Sequence, residues 1–166
     1  RVLSFTLAIL CILLSSCANN TASEGMLLLS DKSCDFTIEV PNSWTVDNEY
    51  NMLSAYDKND MTNVKASVFS LNEHMGADDF FEQYKHNFEG TFGTMNINAM
   101  EETTLSGVIA RHVFYTVDMG VDSFNCQTVI CVNRGNVYMV TFTSTPDVYD
   151  SHTEEFEKIL SSYKFK

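Results

Sequence analysis

Positive charge is scarce in this chain: 10 Lys and Arg stand against 22 Asp and Glu, a formal net charge of -12 at pH 7. Without a basic surface there is nothing to neutralise a phosphate backbone, so no nucleic-acid partner is expected. Proline and glycine are scarce as well, 2 and 7 in 166 residues, which excludes collagen-like repeats and Pro-rich linkers. Metal motifs are missing. His74, His86, His112 and His152 have no His partner three or four residues away, and neither His-Glu-x-x-His nor Cys-x-x-Cys occurs. Gly-x-Ser-x-Gly and phosphate-cradling Gly-rich loops are lacking too. On these grounds the expectation is no cofactor, no metal and no catalytic residue.

What is present has the balance of a globular protein, with 45% hydrophobic and 19% charged residues and 12 Phe beside 7 Tyr. The length fits one domain. The chain opens on Arg1 and an apolar run of 13 residues ending at Leu14. That is shorter than the ~20 residues a helix needs to span a bilayer, and it matches the pattern of a secretory signal peptide.

Leu14-Ser15-Ser16-Cys17 follows directly and resembles the lipobox of bacterial lipoproteins. The resemblance implies cleavage before Cys17, lipidation of its thiol, and attachment to a membrane by acyl chains on the extracytoplasmic face. Residues 1–16 are then a signal peptide, and residues 17–32 a lipidated N-terminus and tether ahead of a domain at 33–166. Loss of residues 1–16 removes one charge, Arg1, and leaves 9 Lys and Arg against 22 Asp and Glu. An acidic domain is mildly repelled by anionic headgroups, so anchoring falls to the acyl chains.

Beyond the polar stretch at 18–25, Met26-Leu27-Leu28-Leu29 either packs onto the domain or forms a first short strand. Cys34, Phe36, Ile38 and Val40 alternate with polar residues, the period of a half-buried strand, and Pro41 ends it. Short strands are expected at 44–46 and 50–56, a turn at Asp57–Asp60, and another strand from Val64 to Leu71. Phe80, Phe81, Tyr84 and Phe88 then recur at helical spacing behind Asp78 and Asp79, whose charges suit a helix N-terminus. This aromatic stripe reads as core packing against a sheet.

Four strands follow at 95–104, 107–117, 124–133 and 137–144. Arg134-Gly135 is the loop of a tight hairpin, which sets Cys131 opposite Tyr138 and Val129 opposite Val140. Ser151-His152-Thr153-Glu154 matches a capping box, opening a helix that buries Phe156, Ile159, Leu160 and Tyr163. Segregated runs of strands with few helices predict an α+β fold, a mostly antiparallel sheet with helices packed on its faces.

Asp35-Phe36-Thr37-Ile38-Glu39-Val40-Pro41, Trp44, the Phe80-Phe81 helix and the ending Phe156 to Phe165 together resemble the PsbP-like family. The resemblance covers roughly residues 33–166 and implies an antiparallel sheet between helices, an α/β/α sandwich. The family is named for an extrinsic subunit of the photosynthetic oxygen-evolving complex, and bacterial lipoproteins carry the fold too. No metal or photosystem contact is implied for this chain.

Four weaker constellations complete the reading. Asp57 with Asp60, or Asp118 with Asp122, offers oxygen to a hard cation but lacks the EF-hand rhythm. Cys131 and His112 sit in successive strands, where a buried inert thiol is the simpler state. Glu101 and Glu102 point to opposite faces of one strand, which is wrong for shared acid–base work. Cys126 and Cys131 lie ~16 Å apart along one strand at 3.3 Å per residue, beyond the ~7 Å Cα separation a disulfide tolerates. Three reduced, buried thiols are expected, with a bridge through Cys34 as the alternative. Two functions stay open: a non-catalytic module for an envelope protein partner, and a carrier holding a small ligand or metal ion between sheet and helix.

Overall fold

The structure is a computed structural model that describes residues 22–71 and 74–166. Residues 1–16, expected as a signal peptide, and Cys17 lie outside the described residues.

The described residues build two antiparallel sheets and two α-helices. The small sheet sets β1 (Met26–Ser30) beside β2 (Phe36–Pro41). The large sheet begins with β3 (Thr45–Val46), β4 (Met52–Tyr56) and β5 (Asn63–Ser70). Helix α1 (Ala77–Glu89) then precedes the long strands β6 (Thr94–Leu105), β7 (Val108–Asp118), β8 (Ser123–Asn133) and β9 (Asn136–Ser144). A 3-10 turn (Tyr149–His152) leads into α2 (Thr153–Ser162), and β10 (Lys164–Phe165) closes the small sheet. Strand order in the large sheet is β3-β4-β5-β9-β8-β7-β6, and every pairing is antiparallel. The fold is α+β, as the segregated runs of strands predict.

The Met26–Leu29 run forms the first short strand, with Leu29 buried opposite Ile38. The packed body therefore starts N-terminal to residue 33. The long hairpins turn at Ser106-Gly107 (φ 49° and 82°) and at Arg134-Gly135 (φ 50° and 79°). Two consecutive left-handed residues make the turn whose twist matches the flanking strands. The second hairpin fixes the expected register, Cys131 against Tyr138 and Val129 against Val140.

Alternation along β8 and β9 sends side chains to two separate cores. On one face Val129, Cys131, Tyr138, Val140 and Phe142 meet β2, the α2 residues Phe156 and Ile159, and Tyr163 just beyond that helix. Phe156 stacks on Phe142 at 5.1 Å and is fully buried, so truncating it to Ala would cost about 3–5 kcal/mol. On the other face Cys126, Ile130, Val137 and Met139 meet Phe81 of α1.

The capping box expected at Ser151 does not form. The chain makes a 3-10 turn there, Ser151 Oγ donates back to the Val148 carbonyl, and α2 starts two residues later with no side-chain cap. The 3-10 turn takes up the backbone that an N-cap serine would otherwise have served.

Candidate functional site

Helix α1 is fixed at both ends and covers only part of its sheet face. At its start Asp78 accepts two hydrogen bonds from the Arg111 guanidinium of β7, at 2.8 and 3.2 Å. At its end Glu89 accepts from the Met95 backbone N–H of β6 at 3.0 Å and pairs with Lys85 one turn back. Both anchors lie on the β6–β7 side. Toward β5 the helix still reaches the sheet, with Phe80 on Phe69 at 5.7 Å, and beside that contact a groove of about 360 Å³ opens between helix and sheet.

The aromatic stripe of α1 therefore divides. Phe81 is fully buried and packs edge-on against Tyr115 at 5.8 Å. Tyr84 and Phe88 instead wall the groove, facing Phe69, Phe124 and Met139. Helical spacing showed which residues share a side, but not where that side outruns the strands beneath it.

A chain of hydroxyls crosses the largely apolar lining of the groove, with Tyr115 and Thr141 at the surface of that lining and Thr128 buried between them. Tyr115 Oη, Thr128 Oγ1 and Thr141 Oγ1 form a chain with 3.0 Å at each step. Lys65 lies directly across β5–β9 from Thr141, on the same face. Next to them the Cys126 thiol donates to Thr143 Oγ1 at 3.7 Å. Burial, partly offset by that bond, pushes the Cys126 thiol up to about 11, so it stays protonated. Burial also raises the Tyr84 and Tyr115 hydroxyls, which remain neutral donors.

The other sequence candidates fare differently. Asp57 and Asp60 are joined by His152, 92 residues on from Asp60, with ligand atoms within 4.8 Å of one another. Carboxylate and imidazole are a donor set suited to a divalent ion. In this structure both ring nitrogens of His152 are engaged, Nε2 by Asp60 and Nδ1 by Glu155. Asp118 and Asp122 serve only their own turn: Asp118 accepts from the Gly120 N–H, and Met119 donates to the Asp122 carbonyl. His112 lies opposite Val129 and bonds Gln127 at 2.8 Å, while Cys131 lies opposite Ala110 with its thiol pushed up to about 12 by burial. That is the reverse of an activated nucleophile. Glu102 bonds Arg111. The three thiols Cys34, Cys126 and Cys131 are free and buried. Cys126 and Cys131 belong to opposite cores, as their spacing predicts.

Neither the groove nor the His152 cluster was identified from sequence. Only the polar Thr128, Thr141 and Thr143 in otherwise apolar strands carried a signal for the first. Nothing local carried one for the second.

Among the described residues no helix is long and apolar enough to cross a membrane. No protein-family model and no curated protein matches the chain. Its structure is similar to that of CyanoP, the cyanobacterial PsbP of Synechocystis, with a TM-score of 0.68 at 15% identity over 92% of this chain and 99% of that one. It is similar to LpqN of Mycobacterium tuberculosis, described as involved in cell envelope biogenesis, at 0.54 and 14% over 79% and 83%. It is also similar to the Ran-binding protein Mog1p of Saccharomyces cerevisiae, at 0.61 and 4% over 86% and 96%. At these identities the likeness is one of fold, and the fold is PsbP-like.

Proposed function

We propose that this chain is an extracytoplasmic lipoprotein, held to a membrane through Cys17, whose domain is a non-catalytic accessory module for an envelope protein. One observation carries the reading. At the C-terminal end of α1, Phe92, Met119 and Val121 are 58%, 44% and 95% exposed. They belong to one surface, because Gly93 packs directly against the Asp118–Met119 backbone. Asp118 and Asp122 flank this apolar tip within their turn. An apolar centre with a charged rim is the anatomy of a protein-docking surface, and exposed apolar clusters of this kind mark interaction sites. LpqN, described as involved in cell envelope biogenesis, and Mog1p, a Ran-binding protein, lend support by analogy of fold only.

The test has two parts. Mass spectrometry of the protein from the membrane fraction should find an N-terminal, acylated Cys17. An unmodified Cys17 still joined to residues 1–16 would overturn the anchor. Cross-linking of the full chain in cells should capture an envelope protein, with capture weakened by high salt and by Val121→Asp. Capture indifferent to both would overturn the docking surface.

A second reading, a carrier for a small ligand, is favoured by the groove beside α1, whose volume lies within the ordinary range of ligand pockets.

A further inference from the structure

We infer that the groove between α1 and the large sheet takes a monoanionic amphiphile, a carboxylate with an unbranched apolar tail, with its head against Lys65 and Thr141. The inference rests on the carrier reading and gives it a ligand class.

Lys65 decides the sign of the head group. It is the one charged residue among those lining the groove. Among the described residues no carboxylate lies within ion-pair distance of it, although the chain carries 22 acidic residues. An unpaired cation beside an apolar cleft attracts an anion and rejects a second cation.

The hydroxyl chain supplies a second contact. Tyr115, Thr128 and Thr141 carry three O–H donors, but their two mutual bonds use only two of them. Polarised from Tyr115 outward, the chain delivers the third hydrogen to Thr141, the cross-strand neighbour of Lys65. Side chains directly opposite in an antiparallel pair stand ~5 Å apart at Cβ, so an ammonium and a hydroxyl converge on one seat. A carboxylate has two oxygens to meet them.

The walls decide the rest of the ligand. Phe69, Phe88, Phe124 and Met139 offer apolar surface without a further charge. Methionine and aromatic side chains adapt to a flexible tail better than to a rigid polar body. The groove is open along one side, so a tail enters laterally and no lid has to move.

The test is titration of the full-length protein with decanoate and with decanol at pH 7, followed by amide chemical shifts. Decanoate should perturb Lys65, Thr141 and Phe124 while leaving Phe156 and Val140 on the opposite face unchanged. Decanol should bind roughly tenfold more weakly, since a charge-assisted hydrogen bond is lost. Lys65→Gln should weaken decanoate by about the same factor and leave decanol unaffected, whereas Lys65→Arg should retain decanoate binding. Lys65 is exposed, so these variants fold. Equal binding of acid and alcohol, or indifference to Lys65→Gln, would overturn the anionic head while leaving a carrier of neutral ligands. If neither compound perturbs the groove, the carrier reading falls with it.

Discussion

His152 Nε2 stands 2.8 Å from a carboxylate oxygen of Asp60, and the pair ties the β4–β5 loop to the start of α2. Asp60 in turn accepts from the Thr62 backbone N–H at 2.9 Å, so the loop is held from within as well as from outside. Burial alone would lower the His152 pKa, but the bonds to Glu155 and Asp60 outweigh it and raise the value above 6.5. For Asp60, burial pulls upward and is outweighed by Thr62 and His152, leaving it below 3.8.

The signs give a pH window. A raised histidine contributes stability that is complete below its unfolded value of about 6.5 and is lost as pH rises through the folded value. A depressed aspartate contributes above about 3.9 and loses its share on acidification. The clamp is therefore strongest between about pH 4 and 6.5. Urea unfolding at pH 6 and pH 8.5 should show wild type losing part of its advantage over His152→Gln as pH rises. A difference between the two proteins that stays constant across that interval would refute the clamp.

Gly93 has no room for a side chain. A Cβ built there falls 2.1 Å from the Asp118 carbonyl oxygen, a backbone atom that cannot rotate away. Gly93→Ala should destabilise by about 3 kcal/mol, the upper end for overpacking, and should lower the urea midpoint. Gly90 is the control. Its Cβ would meet the His86 carbonyl oxygen at an ordinary 3.5 Å, and its φ is -69°. Gly90→Ala should be neutral or stabilise by about 0.5 kcal/mol through the unfolded chain.

Legibility in the sequence followed the range of the interaction. The β8–β9 register could be read because Arg134-Gly135 is a local turn signal and fixes every pair beyond it. The α2 face could be read because Phe156 and Ile159 repeat at helical spacing and both are buried. The small sheet was harder: β10 is two residues long, and its pairing with β2 joins Phe165 to Phe36 across nearly the whole chain. The groove was not legible, since it arises from how α1 is placed over the sheet, a matter set by the Asp78–Arg111 and Glu89–Met95 contacts. Tyr84 and Phe88 look the same in sequence whether they meet a strand or a cleft.

The thiols give a third prediction. Burial raises Cys34, Cys126 and Cys131, the last to about 12, so almost no thiolate exists at pH 8. Iodoacetamide should leave all three unmodified in the native protein for as long as it stays folded. In denaturant without reductant, peptide mapping should find all three alkylated. A Cys34 that reacts only after reduction would reveal a disulfide and contradict the free thiols of the structure.

Tyr138 supplies the last. Its ring is buried between Phe36 and Phe165, edge-on to each at 6.1 and 4.9 Å, and its hydroxyl donates to Asp35 Oδ2 at 2.7 Å. This bond joins β9 of the large sheet to the residue just ahead of β2 in the small one. Tyr138→Phe keeps the aromatic packing and removes the hydroxyl, which donates to Asp35 and also accepts a long 3.5 Å bond from Asn136 Nδ2, so the cycle with Asp35 is what isolates the first bond. Bonds to a charged acceptor contribute about 1.5–3 kcal/mol, but Asp35 is exposed and can rehydrate, which places the expected loss near 1 kcal/mol. Asp35→Ala should cost a similar amount, and the double variant no more than either single one, because the two residues share the same interaction. Additive losses in that cycle would mean that Tyr138 holds the sheets together through its ring contacts alone.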